Sequence, residues 1–99
     1  MHLQRAQLLE ELRKAEQARD LLRDLEPLLA HQTEEKGPQI ERHVRRLEQL
    51  AQTLPEAHVV RLVIESALGP SEVGNVSRAR SAIEGEISTL QGALRYKAR

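Results

Sequence analysis

Apolar positions recur along this chain every three or four residues, a period that predicts helix almost throughout. The pattern is clearest from about Asn75 to Tyr96, where Val76, Ile83, Ile87, Leu90 and Leu94 draw one apolar stripe. A second stripe in the same segment is made of small residues: Ser81, Gly85, Ser88 and Gly92. Glycine inside a helix costs roughly 1 kcal/mol relative to alanine. Two glycines on one face therefore predict a close approach by another backbone.

The chain before this segment divides into three predicted helices. Residues from about 2 to 35 read as one long amphipathic helix. Leu8, Ala15, Leu22 and Leu29 recur at heptad spacing, with Ala18 and Leu25 at the complementary position and Leu12 beside them. Glu11 interrupts this seam. The like-charged pairs Arg19/Arg23 and Asp20/Asp24 sit four apart and should cost a little unless a partner helix neutralises them. Pro27 lacks an amide hydrogen and predicts a kink, with helix resuming at Leu28-Leu29. Lys36-Gly37-Pro38 predicts a tight turn.

A second helix follows over about 39–53, with Ile40, Val44, Leu47, Ala51 and Leu54 on one side. Thr53-Leu54-Pro55-Glu56 matches a capping box with proline in the first turn, so a third helix is predicted over 54–68. It is apolar on most sides (Val59, Val60, Leu62, Val63, Ile64) and is expected to be buried. The β-branched run here also suits a strand, but no second strand-like segment exists to pair with it. Gly69-Pro70 closes the third helix, and Ser71 or Asn75 caps a fourth over 72–96. The expected fold is a single all-α domain over 1–99: a helical bundle with a long, coiled-coil-like N-terminal helix and a C-terminal antiparallel hairpin.

Composition narrows the packing. The only aromatic residue is Tyr96, so the core must be built from Leu, Ile, Val and Ala, which suits helices packed closely side by side. Cysteine is absent, which excludes disulfides and thiolate metal sites. Fifteen acidic residues balance fifteen basic ones, so no global field steers the chain toward nucleic acid or membrane. The balance is uneven: residues 1–36 hold eight Asp/Glu against six Lys/Arg, and residues 69–99 hold three against five. Met1 precedes a polar amphipathic stretch, so no signal peptide is expected. No apolar run approaches the roughly 20 residues of a membrane span, and a cytoplasmic location is expected.

No residue set points to a reaction. His2, His31, His43 and His58 lack the i, i+3 or i, i+4 pairing that places two ligands on one helix face, so they read as solvated side chains and not as metal ligands. Glu10-Glu11, Glu34-Glu35 and Glu84 with Glu86 each have a basic residue nearby and read as polar surface. Ser71, Ser77, Ser81 and Ser88 have no nucleophile-elbow setting, and the five glycines are too scattered to cradle a phosphate. Neither an enzyme, a cofactor nor a small-molecule substrate is expected. Two basic clusters keep nucleic acid open as an alternative partner: Arg42, Arg45 and Arg46 with His43, and Arg78, Arg80, Arg95, Lys97 and Arg99 at the ends of the last helix. Glu41, Glu48, Glu84 and Glu86 dilute both, and Tyr96 is the one ring available for stacking.

The positive signals are contact surfaces. A first helix of roughly 35 Å or more outlasts its shorter neighbours, so part of it is expected to project or to pair with a partner. Leu8, Leu12, Leu22 and Leu25 are the expected intermolecular seam, and Gly85 and Gly92 the expected points of close helix contact. The segment from His58 to Leu94 also has a recognisable cadence. A short apolar helix ends in Ala67-Leu68-Gly69-Pro70, a turn carries Glu72 and Val73, and Arg78-Ala79-Arg80, Ile83-Glu84-Gly85 and Ile87-x-x-Leu90 follow. This resembles small helical proteins of tailed bacteriophages that finish on an Arg-x-x-Ile-x-Gly-x-Ile-x-x-Leu pattern. The resemblance implies a non-enzymatic virion or packaging accessory that acts as a multimer, located in the virion, with no catalytic residue to carry over.

Overall fold

A computed structural model describes residues 2–31, 33–69 and 73–97. Among them the secondary structure is entirely helical. Helix α1 spans His2–Ala30, α2 Gly37–Gln52, α3 Val59–Leu68 and α4 Val73–Lys97, with a short 3-10 turn at Glu34–Lys36. The fold is the expected all-α helical bundle with a long N-terminal helix.

The heptad positions of α1 do the packing. Ala15, Ala18, Leu22 and Leu25 are fully buried and Leu29 nearly so. They meet Val76, Ala79, Ile83, Ile87 and Leu90 of α4 in a core completed by Leu47 and Ala51 of α2 and by Val60, Ile64 and Ala67 of α3. The most extensive contact in the molecule joins α1 to α4. An ion pair between Arg80, near the start of α4, and Glu26, near the end of α1, fixes their antiparallel sense at 3.2 Å. Helix α2 also runs back along α1, because its C-terminal end is held where Lys14 Nζ donates to the Thr53 carbonyl at 3.2 Å. Alanines at Ala15, Ala18, Ala51, Ala67 and Ala79 let helices approach without aromatic filler. The outcome is a rod of 51 × 21 × 19 Å with a radius of gyration of 14.5 Å, against about 13 Å for a compact chain of this length.

Several boundaries differ from expectation. Helix α1 does not restart at Pro27 and does not reach Glu35; Pro27 lies inside it, in the closing turn, where it deletes one amide bond and the helix continues to Ala30. The His31 amide then donates to the Pro27 carbonyl at 3.1 Å, and the break falls on extended Thr33 (φ −134°, ψ 166°). Gly37-Pro38 is not a stop either: both residues begin α2. Proline in a first turn has the right φ, and its missing amide would have been unpaired there in any case. Thr53-Leu54-Pro55-Glu56 does not start α3. Thr53 ends α2, with its hydroxyl on the Leu50 carbonyl at 2.6 Å, and α3 starts at Val59 behind His58. The expected Gly69-Pro70 turn and the Ser71 cap extend outside the described residues.

Candidate functional site

The expected intermolecular seam divides in two. Leu22 and Leu25 are fully buried within the chain, because α4, at 25 residues, is long enough to cover this part of α1. They are core residues of the bundle and not a free seam. Leu8 and Leu12 are partly buried and pack against the edge of the same core. Leu9, one position beyond Leu8, is 48% exposed.

Among the described residues, close backbone contact at the glycines is also absent. A Cβ built on Gly85 or Gly92 meets nothing within 4 Å. Their stripe lies across α4 from the buried face of Val76, Ile83, Ile87 and Leu90, so the chain's own helices never reach it. The close approach that glycine was expected to supply is made by the buried alanines of α1.

Charged residues mostly satisfy each other locally. Asp20 binds Arg19 at 3.1 Å and Arg23 at 3.5 Å, which neutralises the like-charged pairs of α1. The Arg13 guanidinium binds Glu10 at 2.6 Å, holding that carboxyl below the usual carboxylate range and raising its own pKa in return. Arg45 pairs with Glu41 at 3.0 Å on the exposed face of α2. Arg42 and Arg46 are exposed and form no ion pair among the described residues. In the C-terminal cluster, Arg80 is held by Glu26 and Glu84. Arg95 is exposed, while Arg99 and the Lys97 side chain lie outside the description.

The His2 side chain lies outside the description, and among the described residues no group of three His, Asp or Glu is placed to hold a metal ion. His58 is not the solvated side chain expected. Its Nδ1 accepts the Val60 amide at 3.1 Å, capping α3, and its Nε2 lies 3.2 Å from Glu11 Oε1 on α1. One imidazole, with its proton on Nε2, satisfies both contacts. His43 Nδ1 is 2.7 Å from the Gln39 carbonyl one turn before it, and His31 is exposed.

The feature that stands out is an open groove between α3 and α4. Val59 and Leu62 line it at 46% and 52% exposure. Val63, Ala79 and Ala82 also line it, with the polar Ser66, Asn75 and Arg78. Helix α3 is therefore not buried all round: Val60, Ile64 and Ala67 face the core, and no described element covers Val59 and Leu62. The chain matches no family model, no curated protein and no solved structure.

Among the described residues no buried side-chain nitrogen or oxygen lacks a hydrogen-bond partner. No described helix is long and apolar enough to cross a membrane. Five of the eight residues from Val59 to Ser66 are apolar, the pattern behind the expectation of a buried helix, yet Val59 and Leu62 remain exposed.

Proposed function

We propose that this chain is a non-enzymatic assembly protein that acts through helix-to-helix contacts with itself or with a larger protein. The observation that carries this function is the exposure of Val59 and Leu62, at 46% and 52%, in the α3/α4 groove. Single exposed apolar residues are ordinary, whereas a contiguous apolar strip with a polar rim marks a contact surface. The C-terminal pattern ending in Ile87-x-x-Leu90 supports a narrower version, a virion or packaging accessory of a tailed phage.

Light scattering on a sizing column across a wide concentration range tests it. Mass should rise above the 11.2 kDa of one chain, and Leu62→Glu should return it toward one chain without loss of helix. A strict monomer at every concentration would count against self-assembly. A second function, nucleic-acid binding through Arg42, Arg45 and Arg46, draws support from the exposure of Arg42 and Arg46 without ion-pair partners among the described residues. It predicts binding at low salt that falls steeply as salt rises and is lost in Arg45→Glu/Arg46→Glu.

A further inference from the structure

We infer that the α3/α4 groove binds the same groove of a second copy, across a two-fold axis that sets Arg78 of each chain against Glu86 of the other. This inference rests on the assembly function proposed above and names its partner and its geometry.

The argument begins with spacing on α4. Ala79 and Ala82 belong to the groove, and Glu86 follows them at i+7 and i+4, on the same face. Arg78 also lines the groove. Arg78 and Glu86 are thus placed one turn to either side of Ala82, about 12 Å apart along the helix. Neither forms an ion pair among the described residues, although most other charges in α1 and α4 do. The Arg78 guanidinium uses two of its donors on Asn75 Oδ1 at 2.8 Å and the Gly74 carbonyl at 3.3 Å, which holds it in place. Its remaining donors are available, since a guanidinium carries five.

A two-fold axis near Ala82 reverses the direction of α4 in the second copy. Arg78 then faces Glu86, and Glu86 faces Arg78, so both charges are answered twice by one symmetric contact. The same operation covers Val59 and Leu62 of each copy with the apolar groove of the other. A partner with an arbitrary surface has no reason to present this spacing of opposite charges; a second copy has it by construction. Net charge is zero, so copies do not repel one another at long range.

Charge reversal with mixing tests this. Arg78→Glu places Glu against Glu at both contacts, and Glu86→Arg places Arg against Arg. Each variant alone should dimerise about tenfold more weakly than the parent, with unchanged helicity by circular dichroism. An equimolar mixture restores opposite charges at both contacts and should recover dimer, as a heterodimer, by light scattering or native mass spectrometry. The double variant Arg78→Glu/Glu86→Arg should dimerise like the parent. A parent multimer indifferent to both reversals, or variants that fail to recover on mixing, would overturn the inference and leave the assembly function standing. A parent that stays monomeric throughout would overturn the inference and self-assembly together.

Discussion

His58 shows how much a single side chain can join in a bundle with few polar contacts. It caps α3 through Nδ1 and reaches Glu11 on α1 through Nε2, so two elements lose a tie if it is truncated. His58→Ala should cost about 1–2 kcal/mol, as cap removal and loss of a part-buried hydrogen bond each do, read as a lowered midpoint in urea unfolding. His58→Asn, which retains a capping oxygen, should recover part of that loss. The cap was illegible in the sequence because Thr53-Leu54-Pro55-Glu56 offered a stronger local signal. The structure spends Thr53 on closing α2, and the residues between are a turn.

At the scale of elements, α4 carries two faces of opposite fortune. Its apolar stripe was legible and is buried: Val76, Ile83, Ile87 and Leu90 all enter the core. Its small-residue stripe was equally legible, but no described element packs on Gly85 or Gly92, because periodicity reveals a face and says nothing of what covers it. Gly85 has a negative φ and open space where a Cβ would sit. Gly85→Ala should therefore stabilise the isolated chain by about 0.5–1 kcal/mol, measured by thermal unfolding at low concentration. If the same substitution lowers assembly mass at high concentration, another backbone does reach this face. The helix ends were harder to read, since proline and glycine signal both stops and first turns. Gly37-Pro38 opens α2 only because the break has already occurred at Thr33.

At the scale of the molecule, one core joins all four helices, and its central members are few and small. Leu22→Ala removes a fully buried side chain and should cost about 2–5 kcal/mol. A chain of this size has about 5–15 kcal/mol in all, so the variant should unfold at far lower urea or not fold at physiological temperature. The architecture was legible from the heptads of α1 and the seam of α2. Which helix covers α1 was not, because every apolar stripe in the chain fits every other in composition, and only lengths decide: α4, with 25 residues, matches the 29 of α1. The α1–α4 pairing also sets an order of events during synthesis. Glu26 and its partner Arg80 are 54 residues apart, so at about 5–20 residues per second the apolar face of α1 waits roughly 3–10 seconds for the helix that covers it. During that interval α1 is a nascent amphipathic segment, open to chaperones or to another emerging copy.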